Sequence, residues 1–543
     1  MEKSRADRLI IGSIGTLNAN GEFESHEALT VKNGRVQFIG TLEEARRYCD
    51  ATTPVSDYTG AYLYPGMIEG HCHGVTAGNR MTLEADLSEG ECEKDYLDAI
   101  AAFIRKNPDF SEYRGAGWKG SAFTPTKEAL DAICADKPVY LNSFDAHSLW
   151  LNTKALEAAG IDETAVKKWG PDIVRVKADG TPTGYISEGP CLDILRAAKY
   201  TDEQMKKALL EWQAFAFKKG YTAVLDAGVS AKSVRLYEDL VHEGKWKLRT
   251  YGVYLVPETA PDYLKYVEDA KADAARANSE YFKIIGMKVF MDGVVEAHTA
   301  WLNDEYSDAP GSFGVKRMCD LKRFTELVAE SAKAGFMVHC HTVGDGAISF
   351  ALDGIEAGRK VRPDFDMRNA LAHLQVVDDD QLDRIAALGV IPVVPPLWSI
   401  KAGAGLWDQE VAYLGQERAD KAYPIRSFFE KGCHAAFHSD YPVSSTVSVP
   451  GTVFCAVERR YAYQDKALCR NASECITREQ ALAGLTTGPA YSFYEEKRLG
   501  KLMPGYIANI SVYDRDLMHD DIQAVDGAET VAVLIDGEEV YRR

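Results

Sequence analysis

The sequence is short of positive charge. It holds 62 Lys and Arg against 81 Asp and Glu, which gives a formal net charge of −19 at pH 7. A phosphate backbone is repelled by such a surface, so the charge argues against a nucleic acid partner. Long apolar runs are also missing, since none approaches the ~20 residues that cross a bilayer. We therefore expect no membrane partner either.

The sequence also lacks the signs of an oxidising compartment. Its 11 Cys are an odd number without a Cys-x-x-Cys pair, which suits free thiols better than a disulfide framework. The opening stretch MEKSRADRLIIGSIG has no long apolar segment and no small-residue cleavage site, so secretion is not expected. Together these absences predict a cytoplasmic protein.

Short strand patterns occur at both ends of the chain. Near the start, Asn-Gly recurs at 20–21 and 33–34 between alternating apolar runs, which is a hairpin signal. Near the end, similar runs occur in ANISVYDRD and TVAVLIDGEEVY. We therefore predict that residues 1–64 and 497–543 combine in one small β-sandwich domain. The chain, at 543 residues, is long enough to hold a large domain besides.

The middle of the chain, residues 65–496, alternates between apolar β-branched runs and amphipathic helical stretches. FMVHCHTVGD is a run of the first kind, and DLKRFTELVAESAKAG is one of the second. Such alternation in the α/β class means a parallel sheet, and eight units predict a (β/α)₈ barrel of the TIM type. An open doubly wound sheet is the alternative, but no Gly-x-Gly-x-x-Gly follows a first strand. Residues 75–200 are predicted to be an insertion after strand 1 that lies over the barrel mouth.

The tripeptide His-Cys-His occurs twice, at 71–73 and 339–341. Residues i and i+2 of a strand share a face, so His71 and His73 can reach one metal ion. Active sites of such barrels lie at the C-terminal strand ends. Further residues with ligand chemistry are predicted on or after strands 4, 5, 6 and 8, namely Lys288, His341, His373 and Asp440. The histidines and the carboxylate suit Zn²⁺, with Fe²⁺, Mn²⁺ and Co²⁺ as other possibilities.

Each of these side chains also has a structural interpretation. The histidines would then be packed core residues, and Asp440 would cap the turn after its strand. Lys288 would only pair with Asp292 or Glu296. His339 shares a face with His341 but lies one pleat deeper. We predict that His339 is a hydrogen-bonded residue behind the ligands rather than a ligand.

The same stretches resemble a known family. The resemblance rests on PGMIEGHCHG, MKVFMDG, HTVGDGA, LAHLQ, HSDYPV and the closing LMPGYIANISVYDRD. In order and spacing these are similar to the motifs of the amidohydrolase superfamily. They are most similar to its family 3 branch, which includes YtcJ-like proteins and N-substituted formamide deformylases. The segment DAHSLWLNTKALEAAGI resembles that branch's Asp-x-His…Trp-x-Asn pattern. The resemblance covers almost the whole chain.

The resemblance implies a role for each ligand candidate. His71 and His73 would hold a first metal with Asp440, and His341 and His373 would hold a second. Lys288 would bridge the two metals after carboxylation of its amine by CO₂. Asp440 would also take a proton from the attacking water and pass it to the leaving amine. One or two divalent ions per chain, most suitably Zn²⁺, are the implied cofactor.

The function implied is hydrolysis of a C–N bond in a small amide-type substrate, such as an N-acyl or N-formyl compound. A mononuclear deaminase-type hydrolase and a non-catalytic barrel scaffold are the alternatives. The scaffold alternative is disfavoured because all six predicted ligand positions hold residues with ligand chemistry. The predicted substrate contacts are His147, His298, Trp118 and Trp398. For the aromatic residues, plain packing is an equal alternative. A homodimer is expected only because two-fold homo-oligomers are common.

Overall fold

The computed structural model describes residues 5–119, 123–143, 148–171, 173–187, 191, 194, 199–318, 320–401 and 406–543. It divides into two compact units. One comprises residues 1–74 and 213–543, and the other comprises residues 75–212. No helix in the described ranges is long and apolar enough to cross a membrane.

The two chain ends form one seven-stranded mixed sheet with the order β21-β20-β19-β4-β1-β2-β3. Its strands are β1 (Arg8–Leu17), β2 (Phe23–Lys32), β3 (Arg35–Gly40), β4 (Val55–Pro65), β19 (Ile510–Tyr513), β20 (Thr530–Ile535) and β21 (Glu538–Arg542). β1 and β4 are parallel, and the remaining neighbours are antiparallel. The two chain ends therefore combine as predicted, and they do so in one mixed sheet rather than in two separate sheets. The predicted Asn33-Gly34 turn joins β2 to β3, and both residues have positive φ angles, 50° and 72°.

The larger unit also contains an eight-stranded sheet in which every neighbouring pair is parallel. In chain order the strands are β5 (Met67–Cys72), β12 (Tyr221–Val229), β13 (Arg249–Leu255), β14 (Phe282–Phe290), β15 (Met337–Thr342), β16 (Ala370–His373), β17 (Ile391–Val394) and β18 (Ala436–Phe437). Backbone hydrogen bonds bring the residues after β18 back to β5, with Asp440 N donating to His71 O at 3.1 Å and His73 N donating to Tyr441 O at 2.8 Å. The predicted TIM-type barrel is thus confirmed as a nearly closed ring of strands.

Helices connect the barrel strands. They are α7 (Asp202–Lys218), α8 (Ala231–His242), α9 (Lys265–Ala277), α10 (Leu321–Ala334), α11 (Asp345–Gly358), α12 (Asp379–Ala387), α13 (Leu406–Leu414), α14 (Gln416–Lys421), α15 (Ile425–Glu430), α16 (Val449–Glu458), α17 (Arg478–Leu485) and α18 (Thr487–Ser492). Helix α10 shows why these segments are helical. The Asp320 side chain accepts the N–H of Arg323 at its start, and Gly335 ends it at φ 81°. Phe324, Leu327 and Val328 form its buried stripe. Two short helices, α1 (Leu42–Arg46) and α19 (Ile522–Asp526), accompany the terminal strands.

The second unit is built on a six-stranded sheet of its own, with the order β10-β11-β9-β8-β7-β6. Its strands are β6 (Glu84–Asp86), β7 (Tyr113–Trp118), β8 (Val139–Ser143), β9 (Ser148–Leu151), β10 (Val174–Val176) and β11 (Pro182–Ser187). Its helices are α2 (Gly74–Thr82), α3 (Glu93–Lys106), α4 (Lys127–Asp131), α5 (Thr153–Ala159) and α6 (Glu163–Trp169).

Candidate metal centre at the strand ends

The ligand candidates lie at the carboxyl ends of the barrel strands. His71 is the penultimate residue of β5, His341 is in β15, and His373 ends β16. Lys288 is on β14 and Asp440 follows β18. The register aligns Phe290 with His341 and Thr342 with His373 across neighbouring strands. Because parallel strands end at the same rim, the side chains meet there.

Three of these side chains form a tight group. One ligand atom each from His71, His373 and Asp440 lies within 4.8 Å of the other two, and all three residues are buried. His73 joins the group, since its Nε2 atom lies 3.2 Å from Asp440 Oδ1. The His71 Nε2 atom is 3.3 Å from the same oxygen. The imidazoles of these three histidines and the Asp440 carboxylate make a candidate site for a borderline divalent metal ion.

His341 lies beside this group, with its ring centroid 4.5 Å from that of His373. Its Nδ1 atom contacts Asp292 Oδ1 at 3.1 Å. The Asp292 carboxylate also accepts the backbone N–H groups of Val343 and Gly344. An acceptor held in this way fixes the imidazole tautomer and ring orientation. The sequence reasoning considered Asp292 only as a partner for Lys288 and missed this role.

Lys288 is fully buried and makes no hydrogen bond or ion pair within the described ranges. Its Nζ atom lies 4.8 Å from the centre of the Phe290 ring. Burial lowers the pKa of Lys288 to about 8, against a small opposing effect of Asp440. The alternative in which Lys288 only pairs with Asp292 or Glu296 is therefore not what the structure shows.

His339 lies one pleat below His341, and its Nε2 atom is 2.7 Å from His71 Nδ1. His339 thus makes a hydrogen bond to a ligand candidate, as its position behind His341 predicts. Burial lowers the pKa of His339, of His71 and of His373, so these rings are neutral at pH 7. Neutral imidazole is the form that binds metal ions.

His438 is a residue of this cluster that the sequence reasoning missed. Its ring centroid lies 5.2 Å from that of His71, 5.0 Å from that of His373 and 5.7 Å from that of Trp398. Both of its ring nitrogens are buried without a hydrogen-bond partner in the described parts of the chain. The sequence could have indicated His438, because His438 and Asp440 have the same i, i+2 spacing as His71 and His73.

Glu69 is a second missed residue. Its Oε1 atom accepts the backbone N–H of Ser439 at 2.9 Å and that of His71 at 3.2 Å. The carboxylate therefore links the end of β5 to the residues after β18. Burial raises the pKa of Glu69 to about 7. Glu69 precedes His71 by two residues and lies on the same face of the strand. This spacing could have indicated from the sequence that Glu69 lies near the ligand candidates.

The backbone is strained at two of the ligand candidates. His373 has a φ angle of 82° and Asp440 has one of 58°, in the left-handed region that non-glycine residues rarely adopt. Such conformations persist where the surrounding structure holds them, and they cluster at functional sites. Burial by itself would raise the pKa of Asp440, but the neighbouring His73 and His373 side chains lower it overall. Asp440 is accordingly a carboxylate at neutral pH.

The predicted substrate contacts that the structure describes lie in different environments. Trp398 is in the cluster, stacked on His373 with centroids 5.7 Å apart and an angle of 12°. His298 is not, since its Nε2 atom contacts Asp308 at 2.9 Å and its ring packs on Tyr306 and Tyr413. Trp118 has no exposed surface, and its indole N–H donates to Leu141 O within the core of residues 75–212. Trp118 is therefore a packing residue, which is the alternative the sequence left open. His147 lies outside the described residues.

The fold and this cluster together define a class of protein, the barrel hydrolases with a histidine- and carboxylate-lined centre at the strand ends. Residues 55–541 match the Amidohydrolase family, and the chain belongs to that family. It is a metal-dependent hydrolase of the amidohydrolase superfamily, with a His/His/Asp candidate metal site.

Individual relatives extend over the whole chain. YtcJ of Bacillus subtilis is 28% identical over 533 residues, which cover 96% of this chain and 97% of that protein. The N-substituted formamide deformylase of Arthrobacter pascens is 25% identical, with coverage of 100% and 99%. The crystal structure of an uncharacterized metal-dependent hydrolase from Pyrococcus horikoshii has the same fold, with a TM-score of 0.78 and 23% identity over 95% of this chain and 99% of that chain.

Proposed function

We propose that the protein hydrolyses a C–N bond of the amide type, in an N-acyl or N-formyl derivative of a small molecule. The observation that carries the proposal is the group of buried side-chain atoms at the strand ends without hydrogen-bond partners in the described ranges. They include Lys288 Nζ and His373 Nδ1, together with His71 Nε2 and Asp440 Oδ1, which lie 3.3 Å apart without the geometry of a hydrogen bond. Leaving such atoms unpaired costs roughly 1–3 kcal/mol each. Two histidines and a carboxylate fit a divalent cation, and burial lowers the pKa of the neighbouring Lys288 to about 8, which makes its neutral amine accessible.

In this proposal, His71, His73 and Asp440 would hold one divalent ion, most suitably Zn²⁺, and His341 and His373 would hold a second. An unmodified ammonium group is a poor ligand. Lys288 therefore reacts with CO₂: the amine nitrogen forms a bond to the carbon, a proton leaves to solvent, and the product is a carbamate. The resulting negative charge can be shared between two cations. The isolation of Lys288 Nζ from other polar groups supports this assignment.

A bound divalent metal supplies Lewis acidity, which lowers the pKa of water towards neutrality and polarises a carbonyl oxygen. The Asp440 carboxylate is placed to take a proton from the attacking water at Oδ1. It then delivers the proton to the amine nitrogen as the C–N bond breaks. Asp292 holds the orientation of His341, and His339 holds that of His71. Trp398 forms an aromatic wall beside His373 that can contact the apolar part of a substrate.

The amide-type bond is supported by similarity to the formamide deformylase of Arthrobacter pascens, which spans the full length of both chains. A mononuclear deaminase-type hydrolase is the second candidate. It is favoured by the observation that only His71, His373 and Asp440 form a tight three-residue group within the described ranges.

Metal content separates the candidates. Elemental mass spectrometry on freshly purified protein, without added metal or chelator, should find close to two metal ions per chain. A single ion would favour the deaminase-type centre. No metal, and none taken up from added Zn²⁺, would leave only the non-catalytic scaffold.

Activity is then tested on a panel of N-formyl and N-acyl amines, with release of the amine as the readout. Loss of turnover after metal removal, and recovery with Zn²⁺, are expected. A protein that carries metal but deaminates aminopyrimidines or purines, and leaves all amides intact, would contradict the amide assignment. We further propose a homodimer, which light scattering coupled to size-exclusion chromatography will test.

A further inference from the structure

Two cysteines that follow the ligand candidates in the sequence, Cys469 and Cys475, are in contact with each other. The Sγ atoms of Cys469 and Cys475 lie 3.8 Å apart, and both side chains are half-buried. Each cysteine directly follows a short 3₁₀ turn, Lys466–Leu468 or Ala472–Glu474. Exposed residues at 465–468 and 472–473 flank the pair, so solutes can approach it.

The surroundings favour reaction of these thiols. The buried guanidinium of Arg459 interacts electrostatically with both cysteines. A nearby cation stabilises the thiolate, which is the nucleophilic form of cysteine. Burial raises the pKa of Cys475, and its contact with Cys469 raises that pKa further. Cys469 directly follows the exposed Leu468, whereas Cys475 lies between the buried Glu474 and Ile476, so Cys469 is taken as the thiol that attacks first.

We propose that Cys469 and Cys475 form a redox-modification site, at which a small disulfide oxidant such as glutathione disulfide produces a reversible intrachain disulfide. Cys469 attacks one sulfur of the oxidant, whose S–S bond breaks and releases one thiol. Cys475 then attacks the Cys469 sulfur of the mixed disulfide and releases the second thiol. Two electrons pass from the cysteine pair to the oxidant, and the two cysteine protons end on the released thiols.

The pair is connected to the strand ends through hydrogen bonds. Arg470, next to Cys469, donates from Nη2 to Glu410 Oε1 at 2.6 Å. The same oxygen accepts from Gln375 Nε2 at 2.9 Å, and Gln375 is two residues beyond His373. Arg470 Nη1 also donates to Ile400 O at 3.4 Å, two residues beyond Trp398.

Disulfide formation must bring the two sulfur atoms, which lie 3.8 Å apart, to about 2.05 Å, and we expect this closure to shift Arg470, the residue next to Cys469. We therefore expect oxidation to loosen the Arg470–Glu410–Gln375 bonds and to weaken metal binding at His373. The expected weakening of metal binding rests on the proposed function.

The first experiment uses the full chain, reduced and then freed of reductant. It is incubated with glutathione disulfide and analysed by peptide mapping and mass spectrometry. We expect a Cys469–Cys475 cross-link with the loss of two hydrogens, reversed by dithiothreitol. Cys475→Ser should instead accumulate glutathione on Cys469. Cys433→Ser, which removes another half-buried thiol, should cross-link as the wild type does. Two thiols that stay reduced, or a wild type that stops at the mixed disulfide, would overturn the proposal.

The second experiment measures Zn²⁺ affinity by chelator competition in the reduced and the oxidised protein. A several-fold weaker affinity is expected for the oxidised wild type and no change for Cys475→Ser after the same treatment. Equal affinities of the two wild-type forms would refute the coupling to His373. A reduced protein that binds no Zn²⁺ would contradict both the proposed function and the coupling, while the peptide map still decides the cross-link.

Discussion

The Nδ1 atom of His71 lies 2.7 Å from the Nε2 atom of His339, deep inside the barrel and out of contact with solvent. One of the two rings therefore donates to the other, and the bond fixes which nitrogen of His71 faces the strand-end cluster. Without His339, the His71 Nδ1 atom would be buried and unpaired.

His339→Phe should weaken Zn²⁺ binding by about tenfold or more, because outer partners of ligating histidines commonly contribute that much. Chelator competition measures the change. His434→Phe is the control, since His434 stacks on Tyr491 at an exposed position away from the cluster. An unchanged affinity in His339→Phe would show that the hydrogen bond does not position His71.

Asp292 offers a graded test at His341. Asp292→Ala removes the acceptor for His341 Nδ1 and for the N–H groups of Val343 and Gly344. Each buried donor left unpaired costs roughly 1–3 kcal/mol, so the variant should be destabilised and should lose metal. Asp292→Asn retains a side-chain oxygen acceptor and should recover much of both losses. Denaturant unfolding and metal analysis give the two readouts, and equal damage in both variants would exclude a role for the oxygen acceptor.

The carbamate proposed for Lys288 predicts that metal uptake depends on CO₂. Apoprotein in CO₂-free buffer should take up Zn²⁺ incompletely, and added bicarbonate should raise the content towards two ions per chain. Lys288→Gln should bind fewer ions and should not respond to bicarbonate. A wild-type protein that fills equally well without CO₂ would rule out the carbamate.

Asp440→Asn should retain most of its metal but lose turnover by about 10²–10⁴-fold, because the amide cannot carry the proton. Steady-state rates and metal content are compared on the same samples. Asp308→Asn is the control, since Asp308 pairs with His298 outside the cluster. Near-normal rates in Asp440→Asn would remove Asp440 from the proton transfer.

Asp345, the first residue of α11, predicts a pH dependence of stability. Burial raises its pKa to about 6, although its Oδ1 atom accepts the N–H of Asn303. The folded protein therefore binds this proton more tightly than the unfolded chain does, and Asp345 destabilises the fold increasingly as the pH rises from about 4 to 6. Asp345→Asn should gain stability over the wild type across that window, by on the order of 2–3 kcal/mol. Urea unfolding at both ends of the window measures it, and Asp353→Asn on the exposed side of α11 should show little such change.

Much of the fold could be predicted from local pattern. Each strand–helix unit has its own periodicity, and features such as Asp320 and Gly335 mark the ends of α10. The union of the two chain ends followed from the β-rich character of both. In the same way, His71 and His73 were recognisable as one unit, because i, i+2 spacing on a strand places two side chains on the same face.

The tertiary structure decided which distant residues meet. The His71–His339 and His341–Asp292 bonds join residues on different strands, and only barrel closure and register bring them together. His438 enters the cluster because β18 returns beside β5. His298 and Trp118 looked equivalent to Trp398 as polar or aromatic loop candidates, yet one pairs with Asp308, one is enclosed in a core, and Trp398 alone of the three stacks on His373. Local sequence determines the type and face of a side chain, whereas its neighbours depend on long-range packing that local pattern does not encode.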